Sequence, residues 1–192
     1  MLEVINLSKE YSKFKILDDV TMKFYNNSLY IFYGSNGAGK STILKILSGV
    51  IYKSKGTLIS DEVISYLPDK FMLPKLMKVK SYLKLILNDE IEIDNIMKRY
   101  NIPNNFIGNL SKGNFQKVGL VQSLYLNATC YIFDEPLDGL DDFSKTLFKE
   151  DIINLLNKGK KVIMTLHDRN IYHDMNPECY EIRLGKCYAV KN

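Results

Sequence analysis

The stretch YIFYGSNGAGKSTILKIL, Tyr30 to Leu47, decides the fold. It opens with an apolar run typical of a buried strand, breaks at Gly34, and resumes with apolar residues at helical spacing. The break matches G-x-x-x-x-G-K-[ST], in which glycines turn backbone N–H groups toward phosphate oxygens at a helix N-terminus. The stretch therefore predicts a nucleoside triphosphate site, with Lys40 reaching the β- and γ-phosphates and the Ser41 hydroxyl offered to Mg²⁺. The plain alternative is a glycine-rich turn that merely precedes a helix.

Composition limits the remaining possibilities. The chain has 192 residues, 46% of them hydrophobic, which indicates one domain with a sizeable core. A formal net charge of +4 is mild, so no nucleic-acid partner is expected. The first residues lack a signal-peptide layout, and no apolar run approaches the ~18 residues of a membrane span. We expect a soluble protein whose membrane role requires a partner. Three cysteines without metal-site spacing indicate reduced thiols: Cys130, Cys179 and Cys187.

The order of apolar patterns predicts an α/β fold. Short strands fill the first 33 residues, whereas residues 70–108 are lysine-rich, then acidic and amphipathic, and predict a small helical lobe. Two apolar strands follow, in TCYIFDEP and KKVIMTLHD, with an amphipathic helix over about residues 143–157 between them. The tail, CYEIRLGKCYAV, predicts a hairpin. Because strands alternate with helices, the central sheet is expected to be mainly parallel.

Two strand ends carry candidate catalytic groups. Asp134 and Glu135 follow the apolar residues 131–133, at the edge of the sheet where the phosphate loop is also expected. Asp134 would hold Mg²⁺ through water, and Glu135 would orient and deprotonate an attacking water. His167 ends the next apolar strand and would face the γ-phosphate. The alternatives are a strand that simply ends in solvated acids and an incidental histidine.

These motifs together resemble the nucleotide-binding domains of ATP-binding cassette (ABC) proteins along nearly the whole chain. The phosphate loop is similar to the family's Walker A loop and YIFDEP to its Walker B strand. LSKGN, residues 110–114, stands at the signature position, LDGLD, residues 137–141, is similar to the D-loop, and His167 takes the switch-histidine position. The resemblance implies a P-loop NTPase fold with an N-terminal antiparallel β subdomain and a small inserted helical subdomain. It implies one domain, with a catalytic core of about residues 1–69 and 126–192 and a helical subdomain of about residues 70–125.

The resemblance also implies cofactors, site residues and partners. ATP and Mg²⁺ would be bound, with Tyr11 stacking on adenine and Lys40 assisting catalysis. In this family two domains meet head to tail, so Ser111 and Gly113 would contact the γ-phosphate held by the other protomer; Ser111 is also an ordinary helix N-cap. A homodimer, or a pair with a similar domain, would serve a transmembrane transporter subunit from the cytoplasmic face of the membrane. The implied nucleotide-contacting segment is Gly34, Ser35, Asn36, Gly37, Ala38, Gly39, Lys40, Ser41 and Thr42.

The chain departs from the family pattern at several positions. Asp69 stands where the family has a glutamine that contacts Mg²⁺, and its shorter carboxylate would act through an added water or not at all. Lys112 replaces a glycine of the signature, Asn114 a glutamine, and Gln122 an arginine. The variant LSKG followed by QK resembles bacterial peptide and antibiotic exporters. We therefore expect an ATPase subunit of an exporter; the alternatives are a soluble ABC ATPase acting on ribosomes or nucleic acid, and a weakly active regulatory module.

The lysine-rich segment, residues 70–88, admits two interpretations. In the family this lobe receives a coupling helix of the membrane subunit, so its apolar side chains would form a groove and its lysines would lie near an anionic membrane surface. Alternatively, the segment is an amphipathic helix whose apolar stripe belongs to the core of the lobe. The apolar residues in question are Met72, Leu73, Leu76, Met77, Val79, Leu83, Ile86 and Leu87.

Overall fold

The computed structural model describes residues 1–87 and 89–190, so Asn88 of the lysine-rich segment and residues 191–192 of the expected domain lie outside it. Nine strands and five α-helices are present in this described part. Two short 3₁₀ segments, Ile107–Asn109 and Arg169–Met175, are also present. The strands are β1 (Leu2–Tyr11), β2 (Phe14–Phe24), β3 (Leu29–Tyr33), β4 (Lys55–Ser60), β5 (Ile64–Leu67), β6 (Cys130–Asp134), β7 (Lys161–Thr165), β8 (Glu178–Arg183) and β9 (Lys186–Val190). The helices are α1 (Lys40–Leu47), α2 (Val79–Leu83), α3 (Glu90–Arg99), α4 (Lys112–Leu124) and α5 (Asp142–Asn157).

The central sheet has six strands in the order β5-β6-β7-β3-β8-β9. All neighbours are parallel except β8 and β9, which form the antiparallel hairpin predicted for the tail. Strands β6 and β7 are buried along their whole length, which explains their continuous apolar sequences. The predicted mainly parallel α/β sheet is confirmed. Because β3 lies between β7 and β8, the loop after β3 leaves the sheet near its middle, beside the end of β7.

A second sheet, of order β2-β1-β4, is antiparallel and confirms the predicted β subdomain. Its first two strands are longer than the sequence suggested, since bulges interrupt the apolar alternation without ending the pairing. Asn6 and Asp19 adopt left-handed backbone conformations, and the Asn6 amide donates to the Asp19 carboxylate at 2.7 Å. Helix α1 packs between the two sheets through four buried residues: Ile43, Leu44, Ile46 and Leu47.

The helical lobe contains less helix than the sequence suggested. Residues 70–78 are not helical, and α2 has only five residues. Of the apolar side chains at issue, Leu73, Val79, Leu83 and Leu87 lie in the core, as the packing interpretation requires. Met72 and Leu76 are 96% and 91% exposed, so these two are available for contact with another molecule. Among the described residues, none of the helices has the length and apolar character needed to cross a membrane.

A buried ion pair ties the start of β7 to the segment before β5. Lys161 is 2% exposed, and its ammonium donates to the Glu62 carboxylate and to the Asn26 side chain. Burial tends to raise the pKa of Glu62, but hydrogen bonds from Lys161 and Thr129 outweigh it and lower the pKa to about 2. The carboxylate therefore contributes stability that is present above its ordinary pKa and lost as the pH falls toward about 2.

We expect Lys161→Met to lower the free energy of unfolding by about 3–5 kcal/mol, because it leaves the Glu62 carboxylate buried without its main partner. Urea denaturation at pH 7 would measure this, with the partly exposed neighbour Lys160→Met as the matched control. Repeating both denaturation experiments toward pH 3 should narrow the difference in stability between the two variants, because the Glu62 carboxylate left without Lys161 becomes protonated while the paired carboxylate stays largely ionised. Equal midpoints at pH 7 would contradict the expected contribution of the pair.

Candidate nucleotide site

The phosphate loop folds back between the two sheets at positions where only glycine fits. Gly34 has a φ of 145°, and a Cβ atom there would lie 2.4 Å from the carbonyl oxygen of Ile182 in β8. Gly39, the N-cap of α1, has a φ of 109°, and its Cβ would lie 3.0 Å from the carbonyl oxygen of Ile16 in β2. The glycines of the motif thus let the backbone pass close to both neighbouring strands, in the kind of loop whose N–H groups can face an anion.

Lys40 is held inside this loop. Its side chain is 5% exposed, and its ammonium donates to the carbonyl oxygens of Gly34 at 2.9 Å and Ser35 at 3.3 Å. The first hydrogen bond within α1 is donated by the Ile43 N–H to Gly39, so the N–H groups of residues 40–42 precede the bonded part of the helix. A buried cation and a helix N-terminus therefore converge, which favours an anion with several oxygens.

Thr165 joins the ends of β6 and β7. Its hydroxyl donates to the Asp134 carboxylate at 2.7 Å and accepts from the backbone N–H of Glu135 at 2.8 Å. Asp134 is 1% exposed, and Glu135 adopts a left-handed backbone conformation with a φ of 51°. The bridge fixes the backbone turn that aims the Glu135 side chain. Thr165 was missed by the sequence analysis; a hydroxyl at the end of the strand beside Asp134 was the available signal.

Glu135 lies between two basic groups. One carboxylate oxygen is 3.9 Å from the Lys40 ammonium, and the other is 2.8 Å from Nε2 of His167. The Glu135 side chain is 18% exposed, whereas that of His167 is 59% exposed. The carboxylate is thus oriented at both oxygens while remaining open to a water molecule, which is the arrangement a general base requires.

These side chains surround one cavity of about 520 Å³. Ile16, at the start of β2, is the one lining residue that the sequence analysis did not name. Tyr11 lies at the rim with 47% of its surface exposed, and the Lys9 ammonium is 4.6 Å from the centre of its ring. The lining consists of Tyr11, Ile16, Asn36, Gly37, Gly39, Lys40, Ser41, Thr42, Asp69, Glu135 and His167.

The remaining predicted residues lie beneath or beyond this cavity. Gly34, Ser35 and Ala38 belong to the loop but do not line the cavity, and Asp134 is buried below it. Ser111 and Gly113 lie apart, at the start of α4. The Ser111 hydroxyl accepts from the Asn114 N–H at 3.2 Å, so Ser111 is the helix N-cap. A Cβ on Gly113 would lie 2.8 Å from the Gly139 carbonyl oxygen, so α4 packs closely on the segment after Glu135.

Tyr66 places an unpartnered hydroxyl beneath the site. Its oxygen is buried and has no hydrogen-bond partner among the residues that the structure describes. Burial, and then the negative charges of Asp134 and Asp69, raise the pKa of this phenol. Because its pKa is raised, the phenol stays uncharged at neutral pH near these two carboxylates. Neither periodicity nor motif singled out Tyr66.

Comparison with known proteins gives one family. The family model described as ABC transporter matches residues 17–138. The zinc import ATP-binding protein ZnuC of Rickettsia conorii is 35% identical over 179 residues, covering 88% of this chain and 76% of its own length. The lantibiotic transport ATP-binding protein SrtF of Streptococcus pyogenes is 29% identical over 189 residues, covering 87% and 80%. A dimeric ATP-binding cassette solved with ADP and phosphate has the same fold, with a TM-score of 0.83, 20% identity, and coverage of 100% and 98%.

Proposed function

Since the chain belongs to the ABC transporter family and is an ATPase, we propose that it is the subunit that binds and hydrolyses ATP for a membrane transporter whose transmembrane part is a separate protein. The observation that carries this proposal is the position of Glu135 at the mouth of the phosphate loop, between Lys40 and His167. In the proposed assembly the chain is one domain with an inserted helical subdomain, and it lies on the cytoplasmic face of the membrane.

ATP fits the cavity from the loop outward. The N–H groups at the start of α1 and the Lys40 ammonium would hold the β- and γ-phosphates, with the loop residues 34–39 enclosing them. Tyr11 at the rim would stack on the adenine ring, which leaves the Lys9 ammonium close to the same ring system. The phosphate loop would contact only the phosphates and not the base. Any preference of the site for one base over another would therefore come from the residues at the rim of the cavity.

Mg²⁺ is proposed beside the phosphates, and the residues present fit it. Ser41 lines the cavity, and Asp134 is a buried carboxylate below it. Oxygen ligands of this kind, completed by water, are those that Mg²⁺ prefers. Asp69 also lines the cavity and would contribute through a water molecule. When bound, the ion would neutralise charge on the phosphate oxygens.

Hydrolysis is proposed to need two copies, or one copy and a similar domain. Ser111 and Gly113 lie outside the cavity of their own chain, so they would meet the γ-phosphate held by the opposite protomer. Glu135 would accept a proton from the attacking water, and His167 would hold the carboxylate in place. Release of phosphate would then separate the protomers and move the transmembrane subunit through the lobe surface that exposes Met72 and Leu76.

The transported compound is proposed to be exported and to be a peptide or antibiotic-like molecule. The signature LSKG, which resembles that of bacterial peptide and antibiotic exporters, supports export, and the similarity to a lantibiotic transport protein supports an antibiotic-like cargo. The similarity to a zinc import protein supports the opposite direction, and the sequence of the membrane subunit that co-purifies would decide between the two.

Affinity purification from detergent-solubilised membranes in Mg-ATP tests the transporter role. We expect a stoichiometric protein with several membrane spans, identified by mass spectrometry, whose sequence would indicate cargo and direction. Recovery only from the soluble fraction, bound to ribosomes or nucleic acid, would contradict the proposal. A parallel phosphate-release assay separates an ATPase from a binding module without turnover.

A further inference from the structure

The side chain of Asp138 lies beside those of Glu135 and His167. A turn closed by the hydrogen bond from the Asp138 N–H to the Glu135 carbonyl, at 3.3 Å, brings Asp138 back toward the site. Side-chain atoms of Glu135, Asp138 and His167 all lie within 4.8 Å of one another. Neither the phosphate loop nor the proposed magnesium site uses Asp138. His167 is therefore flanked by the carboxylates of Glu135 and Asp138, both of which lie in the segment directly after β6.

Lys112 reaches this group from α4. Its ammonium is 3.9 Å from an Asp138 carboxylate oxygen, and its aliphatic stem crosses Gly139, where an added Cβ would lie 3.3 Å from the Lys112 Cε. Basic and acidic side chains thus alternate from the phosphate loop to α4, in the order Lys40, Glu135, His167, Asp138 and Lys112. An ammonium 3.9 Å from each carboxylate opposes a divalent cation at this cluster, which favours a positioning role.

A second pair anchors α4, whereas Lys112 lies exposed at the start of the helix. Lys117 is 4% exposed, and its ammonium donates to the Asp141 carboxylate at 3.1 Å. Hydrogen bonds from Ser144, and then from Lys117, lower the pKa of Asp141 to about 2. Lys112 is 78% exposed and Asp138 53% exposed, so their contact can break and form without unfolding the helix.

We propose that Asp138 is a positioning residue that holds His167 beside Glu135, and that Lys112, at the start of α4, supports Asp138 in this role when the two side chains are in contact. The proposal rests on the proposed function, because it takes Glu135 as the base. A change at the exposed start of α4 that breaks the contact between Lys112 and Asp138 would thereby change the orientation of the Glu135–His167 pair. The contact between Lys112, in the signature segment, and Asp138 then links the helical lobe to the catalytic residues.

Steady-state ATPase kinetics test the inference. We expect Asp138→Asn to lower kcat about 10-fold, the order of effect seen when a supporting residue is lost, with KM for ATP within about 2-fold. Asp138→Glu should recover most of the activity because it keeps the charge. Asp142→Asn is the matched control, since Asp142 carries the same charge four residues further on and is 99% exposed. Thermal melting of each variant separates a loss of positioning from a loss of folding.

The Lys112 part has its own readout. Lys112→Met should lower kcat less than Asp138→Asn, and the double variant should be no worse than Asp138→Asn alone, since both act through one contact. Additive losses would overturn the role of Lys112. Unchanged kcat in Asp138→Asn, or equal losses in Asp138→Asn and Asp138→Glu, would overturn the role of Asp138. These results leave the proposed function intact as long as Glu135→Gln abolishes turnover, whereas unchanged turnover in that variant would remove both.

Discussion

Lys40→Met is expected to weaken ATP binding by at least about 30-fold. The ammonium is already enclosed by the Gly34 and Ser35 carbonyls and lies 3.9 Å from Glu135, so it is desolvated before any ligand arrives. Its replacement leaves the phosphate charge and the Glu135 carboxylate facing each other without a cation between them. Loss of one partner of a buried charge pair costs about 2–5 kcal/mol, or roughly 30- to 4,000-fold in affinity.

Calorimetric titration with ATP, with and without Mg²⁺, would measure this loss. Lys45→Met is the matched control, because Lys45 carries the same charge on the same helix but belongs to its last turn and does not line the cavity. Thermal melting should show that both variants are folded, since the glycines that set the shape of the phosphate loop are unchanged. If the affinity of Lys40→Met for ATP were within threefold of that of the control, Lys40 would not bind the phosphates as proposed.

Features that depend on neighbouring residues were predictable from the sequence. The phosphate loop is one such feature, because its glycines, lysine and helix lie within one continuous stretch. Helix α5 was predicted over about residues 143–157 and spans Asp142–Asn157, since its apolar spacing is continuous. The strand ends that carry Asp134 and His167 also follow from local patterns, and a parallel sheet brings such ends to one edge.

Features that depend on register or on distant contacts were not predictable. Thr165 bridges Asp134 and the Glu135 backbone only because β6 and β7 pair with Asp134 opposite Thr165. Residues 72–87 carry apolar side chains that suit either a helix or a loop crossing the lobe. Residues 72–78 form a loop because Pro74 disfavours a helix and because hydrogen bonds tie the segment to residues 105–107. The Val79 N–H donates to the Asn105 carbonyl, and the Ile107 N–H donates to the Met77 carbonyl. Such long-range hydrogen bonds leave no period in the sequence.

Glu135→Gln is expected to lower kcat by about 10²–10⁴-fold while leaving ATP affinity within a few-fold of the original. The amide has the same size, so the turn held by Thr165 and the contact with Nε2 of His167 can persist. What is lost is the ability to take a proton from water. Because ATP would remain intact between two protomers, the variant should elute as a dimer in Mg-ATP and as a monomer without nucleotide.

The two measurements test different claims: turnover tests the role of Glu135 as the base, and the elution position in Mg-ATP tests the two-copy arrangement. Glu92→Gln makes the same chemical change at an exposed position on α3 and should turn over ATP normally without a stable dimer. Unchanged turnover in Glu135→Gln would contradict its role as base. Lost turnover with a monomer in Mg-ATP would retain the base but contradict the use of Ser111 and Gly113 across two copies. A trapped dimer that separates when Ser111→Arg is added would place the signature segment of one copy against the ATP of the other.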